Sequence, residues 1–465
     1  MVDLYRKTKM MSPEISLAKI SNTYHNAIPS PTRLADRSSS LSSAALAYEQ
    51  YLRLPELASL WTARDFPDWD SEPLLKPALQ ALEITFRFIS VALSDPRPYA
   101  DRREWSRRLE SLACRQVELI AAVSEAEERG GGAPVSDMSS SSRIIPRVGS
   151  SLSREVWKLP GSAEAVVNRT SESSLLPRLA AWDKSEGIAT KIQLEIECQM
   201  RRSPFTLGLG EPNLSGKPNL EYDRVCRPSE LHALKRGPFD SRRLRNRESE
   251  SLFTAQQILE SWIRVANRIL ARIGERIDGG DWESAAGDCW LLERTWKLLS
   301  EIEDLLLLTD PDDFLRLKNQ LAIRTESEAL CFRSTALIEI TRSSKDLRMK
   351  VPAILGVEVD PKGGPRVQEA AMKLFHHEID GGDDGKIHLL QAMMAVEAAV
   401  KRFFFGYGQL TVAVMGSVEA RGNRVIGSEG SDPLIRLFME PAYFPSLDAA
   451  KTFLGDFWRR EDGRL

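Results

Sequence analysis

Four apolar stripes recur at steps of three and four residues, and a chain with that period must lay them along helix faces. Leu79, Leu82, Phe86, Ile89 and Leu93 form the first, and Ile258, Trp262, Val265, Ile269 and Ile273 the second. Leu292, Trp296, Leu299, Ile302 and Leu306 form the third, and Leu389, Met393, Val396, Val400 and Phe403 the fourth. Strands need a period of two, which is scarce here, so the stripes predict an all-α chain whose later helices pack as a bundle. Asp70-Ser71-Glu72-Pro73 offers cap and first-turn residues ahead of the first stripe. Further helices are expected from Arg102 to Glu128 and from Ser174 to Arg202. Aromatic residues at helical spacing belong to interiors, so Leu292, Trp296 and Leu299 are expected in the core.

Proline, glycine and serine punctuate the chain. Residues 1–45, with Pro29, Pro31 and the serines between Ser38 and Ser43, are expected to be a disordered tail. Residues 46–202 form an N-terminal helical region. Its loop, 129–154, is expected to be mobile and carries Gly130-Gly131-Gly132, Pro134, Ser139 to Ser142 and Pro146. Residues 203–247 are expected to be an irregular linker, and 248–465 a second helical domain.

The 465 residues carry 66 acidic and 63 basic side chains, a net charge of −3, which argues against a protein built to neutralise nucleic-acid phosphates. Cys114, Cys198, Cys226, Cys289 and Cys331 lie far apart and odd in number, so neither a disulfide framework nor a zinc knuckle is expected. The first residues, Met1-Val2-Asp3-Leu4-Tyr5-Arg6-Lys7, lack the apolar core of a signal peptide, and no apolar run approaches the ~20 residues that cross a bilayer. The expectation is a cytoplasmic protein with no membrane and no nucleic-acid partner. The basic run Lys235, Arg236, Arg242, Arg243, Arg245 and Arg247 leaves the nucleus open as a second compartment.

Motifs that carry chemistry fail on inspection. Gly210-Glu211-Pro212-Asn213-Leu214-Ser215-Gly216-Lys217 is one residue too long for a phosphate loop, and Pro218 stands where a magnesium-binding hydroxyl belongs, so it reads as an ordinary turn. Asp380-Gly381-Gly382-Asp383-Asp384-Gly385-Lys386 opens like a calcium loop, but its twelfth position is Gln391 rather than a bidentate glutamate. His376 and His377 would point about 100° apart on a helix, and His388 would reach them only across a turn. No nucleophile elbow is present. No catalytic, cofactor-binding or metal-binding residue is assigned, and no cofactor is expected.

Three stretches carry a resemblance. Tyr48-Glu49-Gln50-Tyr51-Leu52-Arg53-Leu54-Pro55-Glu56-Leu57, Ser71-Glu72-Pro73-Leu74-Leu75-Lys76-Pro77-Ala78-Leu79-Gln80-Ala81-Leu82-Glu83 and Gln257-Ile258-Leu259-Glu260-Ser261-Trp262-Ile263 resemble the plant HSPRO family of nematode-resistance-protein-like proteins. The resemblance runs nearly end to end. It implies a role in basal resistance and stress responses, and contact with a regulatory subunit of the plant energy-sensing kinase complex.

A more distant likeness covers Glu250 to Phe438, which is similar in pattern to the tryptophan and indoleamine 2,3-dioxygenases, helical haem enzymes. Their His-Gln-x-x-Glu-x-x-Trp motif is similar to Gln256-Gln257-Ile258-Leu259-Glu260-Ser261-Trp262, which keeps Gln257 and Glu260 and carries Trp262 one position early. Their Asp-Phe-x-x-Phe-Arg motif corresponds to Asp313-Phe314-Leu315-Arg316-Leu317-Lys318, and their haem-binding helix to the run from Arg402 to Gly416. By this resemblance the distal histidine is replaced by Gln256, the substrate-clamping arginine by Lys318 and the proximal haem ligand by Val412. Valine has no lone pair for iron, and lysine lacks the bidentate fork of arginine. The resemblance therefore implies a dioxygenase-like fold kept and an active site lost: a non-enzymatic interaction or regulatory protein with vestigial pocket positions Gln256, Lys318 and Val412. Two alternatives stay open, a small-molecule sensor using that pocket and a haem enzyme with an unusual ligand among His376, His377, His388 or Tyr407.

Overall fold

The computed structural model describes residues 45–94, 102–125, 132–136, 157–158, 165–166, 170–211, 217–235, 248–309, 311, 315, 333–358, 365–376, 384–415 and 439–462. The expected tail except Ala45, which opens a helix, most of the 129–154 loop, most of the basic run, Lys318, His377 and Cys331 lie outside them.

The first half contains α1 (residues 45–51), α2 (Leu54–Thr62), α3 (Glu72–Ser94), α4 (Arg102–Glu125), α5 (Leu176–Ala180), α6 (Glu186–Gln199), α7 (Tyr222–Cys226) and α8 (Pro228–Ala233). The second contains α9 (Glu248–Asp278), α10 (Trp282–Glu303), α11 (Thr335–Asp346), α12 (Val351–Leu355), α13 (Pro365–His376), α14 (Asp384–Met415) and α15 (Pro445–Asp462). Strand is confined, among the described residues, to the two-residue pieces β1 (Val135–Ser136), β2 (Trp157–Lys158), β3 (Ala165–Val166) and β4 (Asn219–Leu220). β1 pairs antiparallel with β4, and β2 with β3. Helix dominates, as the stripe period requires.

Helix α3 packs between α4 and α9, α9 against α10, and α10 against α14. The four sequence stripes all lie inside: Leu79, Phe86, Ile258, Ile269, Leu292, Trp296, Leu299, Leu389 and Val400 are fully buried. One continuous cluster of buried apolar residues runs from Tyr48 to Ala450, and residues 203–235 add Leu207, Leu209, Leu220, Tyr222, Val225 and Leu231 to it. The β1 end of the glycine-rich loop is pinned as well. Gly132 has φ +79, and a side chain there would collide with the Asp68 carbonyl at 2.0 Å, so only glycine fits.

Helix α3 differs from its sequence reading in one respect. The apolar stripe alone describes an amphipathic helix with a wet back, yet the back is buried too. Glu72, Lys76, Gln80, Glu83 and Arg87 recur at helical spacing, and none is more than 2% exposed. The irregular chain from Thr170 to Lys235 supplies much of the cover over that polar face, through α5, α7 and α8.

Candidate functional site

Buried polar groups need partners, so the α3 spine dictates what surrounds it. At its start, Glu72 accepts from the backbone N–H of Asp65 at 2.9 Å and of Phe66 at 3.2 Å, while Lys76 donates to the Ala63 carbonyl at 2.6 Å and to Asp65. Arg227, held at φ 50 between α7 and α8, donates to the other Asp65 oxygen at 2.6 Å. In the middle, Glu83 accepts from the Ser174 hydroxyl at 2.7 Å, the Leu175 N–H at 2.8 Å and the Tyr222 hydroxyl at 3.1 Å. The His232 Nε2 lies 2.9 Å from its other face. At the end, Arg87 donates to Gln257 Oε1 at 2.6 Å, and Gln257 donates on to the Leu52 carbonyl at 3.0 Å. The spine thus joins residues 52–76, 174–232 and 257.

A second buried polar group lies where α1 meets α9, α10 and the cap of α11. The Tyr48 hydroxyl donates to Gln256 Oε1 at 2.7 Å and lies 3.2 Å from Glu260 Oε1. Gln256 Nε2 reaches Glu303 Oε1 at 3.4 Å. Ser334, which caps α11 by accepting from Leu337 N–H, also bonds Glu260. Burial pushes the Glu260 carboxyl up to about 8, against bonds from Ser334 and Tyr48 that pull it down. Burial likewise holds Glu303 at about 8. Both carboxyls are therefore largely protonated at neutral pH. A phenol carries one hydrogen, so Tyr48 can serve Gln256 while the protonated Glu260 donates back to the phenol oxygen. One step outward, Glu49 accepts from the Thr335 N–H at 2.8 Å.

Two carboxyls raised this far could serve as general acids where substrate reaches them. Neither cleft described in this structure does so: one lies between α9 and α11, the other beside β1 and α7, and neither is lined by Glu260 or Glu303. What the cluster does is hold α1 to three helices of the second half.

Of the pocket positions implied by the resemblance, Gln256 and Val412 are described. Gln256 lies in the carboxyl cluster, 1% exposed. Val412 lies near the end of α14, 50% exposed, and Lys318 is outside the described residues. Helix α14 approaches the cluster at Tyr407, which adds to the charge repulsion on Tyr48, more than a turn before Val412. The Tyr407 ring stacks on Phe403 at 6.2 Å, and Phe403 meets the Trp296 edge at 5.3 Å. Trp262 donates its indole N–H to Gln116 on α4 at 2.9 Å. His388 is exposed, and the side chain of His376 is not among those described. Lys217, the would-be phosphate-loop lysine, donates to the carbonyls of Met200 at 3.0 Å, Ser203 at 2.7 Å and Arg201, closing the C-terminal end of α6. Glu211 of the same turn accepts from Thr206 Oγ1 and the backbone N–H groups of Gly208 and Leu209, each at 2.6 Å. Sequence reasoning did not single out Glu303 or the polar face of α3. The spacing of Glu72, Lys76, Gln80, Glu83 and Arg87 was the available signal for the latter.

A mostly helical protein with two interior polar networks tying its halves together is the class the fold defines. Residues 1–197 match the family described as Hs1pro-1 N-terminus, and residues 200–460 the one described as Hs1pro-1 protein C-terminus. The nematode resistance protein-like HSPRO2 of Arabidopsis thaliana is 50% identical over 466 residues, covering 98% of this chain and 99% of the relative. Nematode resistance protein-like HSPRO1 of the same plant is 50% identical over 465 residues, with the same coverage. The chain belongs to the Hs1pro-1 family. No solved structure matches it.

Proposed function

We propose that this protein is a non-enzymatic interaction and regulatory scaffold of plant basal resistance and stress response, the defence role following the names of its relatives. Its partner is a regulatory subunit of the energy-sensing kinase complex, as the family resemblance implies. The second half is a dioxygenase-like helical scaffold without the catalytic residues. The observation that supports this reading is the engagement of the motif residues in packing: Gln257 bridges Arg87 and the Leu52 carbonyl, Trp262 bonds Gln116, and Gln256 is closed in by Tyr48 and Glu303. A distal residue shut in by side chains from two other helices has no face left for a bound substrate.

The test has two arms. Full-length protein expressed with abundant haem is expected to show no stoichiometric Soret band and no tryptophan consumption; either signal overturns the non-enzymatic reading. Purified kinase regulatory subunit is expected to be retained by the wild type and by Gln256→Ala alike. Failure of the wild type to retain it removes the proposed partner. Selective loss in Gln256→Ala, with the fold intact by circular dichroism, transfers the weight to a ligand-sensing pocket.

A further inference from the structure

Arginines recur every fourth residue along α9, and they divide into two pairs. Arg272 forks onto Asp288 at 2.8 and 2.6 Å, and Arg276 reaches Asp288 and the Ser284 carbonyl, both at 2.8 Å. Arg264 and Arg268 have no hydrogen bond or ion pair among the described residues. They stand one turn apart, and burial together with the Arg268 charge pushes the Arg264 guanidinium down. Two guanidinium groups on adjacent turns repel unless an anion lies between them.

Both line a cleft of about 440 Å³ between α9 and the α11 wall. The facing wall presents Glu339, Ser343 and Asp346, with Asn267 beside the arginines. Glu339 pulls electrostatically on Arg264 without forming an ion pair. Lys350, at the end of the cleft, is engaged with Asp278 at 2.6 Å. Opposite charges thus face one another across an unbridged gap, with Leu270 and Leu347 contributing an apolar patch.

We propose that this cleft binds a small phosphorylated polyol, of the sugar-phosphate type. The phosphate lies on Arg264 and Arg268, where its oxygens match guanidinium donors. The carboxylates opposite are acceptors only and repel an anion, so they serve hydroxyl groups, as Ser343 and Asn267 do. The apolar patch meets the C–H face of the ligand. The volume falls within the ~300–1,000 Å³ typical of small-molecule sites, and a bare phosphate would leave most of it empty. The site is separate from Gln256 and Val412 and does not depend on the scaffold reading.

Isothermal titration of the full chain at fixed ionic strength tests this, with glucose 6-phosphate, inorganic phosphate and glucose as probes. Glucose 6-phosphate is expected to bind at least about tenfold more tightly than either of the others. Arg268→Gln, an exposed position that leaves folding unaffected, is expected to weaken it about tenfold or more, and Arg264→Gln likewise. Asp346→Asn is expected to narrow the gap between glucose 6-phosphate and inorganic phosphate. Equal affinity for those two probes overturns the polyol assignment. No binding, or binding unchanged in Arg268→Gln, overturns the site.

Discussion

Glu83 and Glu303 are both buried glutamates, and the molecule surrounds them differently. Glu83 meets the Ser174 hydroxyl, the Leu175 N–H, the Tyr222 hydroxyl and the His232 ring. Glu303 meets Gln256 at 3.4 Å on one oxygen and, among the described residues, nothing on the other. The cause is what surrounds each. Around Glu83 the described residues 171–176 and 222–232 form short helices and turns, whose first backbone N–H groups and small hydroxyls are free to converge. Around Glu303 are long helices whose backbone donors are already committed to their own turns. The long helices around Glu303 leave it few donors, whereas irregular chain brings Glu83 several.

The pH dependence of stability breaks or sharpens this contrast with the largest effect. Glu260 and Glu303 titrate at about 8 in the folded protein against 4.5 for a free side chain. Between those values the unfolded chain has released protons that the folded chain keeps. Their contribution to stability therefore falls as pH rises from 4.5 to 8, by at most about 1.4 kcal/mol per pH unit for each carboxyl, and levels off above. Urea unfolding at pH 5 to 8 is expected to show a shallower fall in a Glu260→Gln/Glu303→Gln variant than in wild type. Identical slopes would break the comparison.

Next in size is Glu83→Gln, which turns an amide N–H₂ toward donors and is expected to cost about 3 kcal/mol in denaturant unfolding at pH 7. Tyr48→Phe removes the donor to Gln256 and the acceptor for Glu260, and is expected to cost about 1–2 kcal/mol, with faster amide exchange in α1. The smallest effect is expected from Glu303→Gln alone, a neutral amide replacing a neutral acid, within about 1 kcal/mol at pH 7. If Glu303→Gln cost as much as Glu83→Gln, donor supply would not be what separates the two sites.

The helices were legible because their stripes are local: Leu292, Trp296 and Leu299 belong to one face by spacing alone, and all three are fully buried. The polar face of α3 had the same spacing, but charged residues at helical steps read as a solvated surface when nothing local shows the cover. Its partners lie far along the chain. Arg87 and Gln257 are 170 residues apart, and Tyr48 and Gln256 are 208 apart. The motif around Gln257, Glu260 and Trp262 was visible in sequence, while its use in joining α9 to α1, α3 and α4 was not. Pairings of that length leave no periodic trace in a single sequence. The cleft at Arg264 and Arg268 was equally hidden, because which arginines on a helix find carboxylates depends on the neighbouring helix.

The polar spine of α3 also sets a timetable for synthesis. The two matched family segments meet near residue 200, yet Arg87 waits for Gln257, made 170 residues later. At roughly 5–20 residues per second that delay is on the order of ten to thirty seconds. Glu72 and Lys76 have their partners at once in residues 63–66, and Glu83 gains its own as residues 174–232 are made, so Arg87 is the last of the spine to be joined. A chain truncated after the first matched segment would leave Arg87 without Gln257, and Glu83 without Tyr222 and His232. Synthesis therefore completes the spine in order, from its Glu72 end to its Arg87 end.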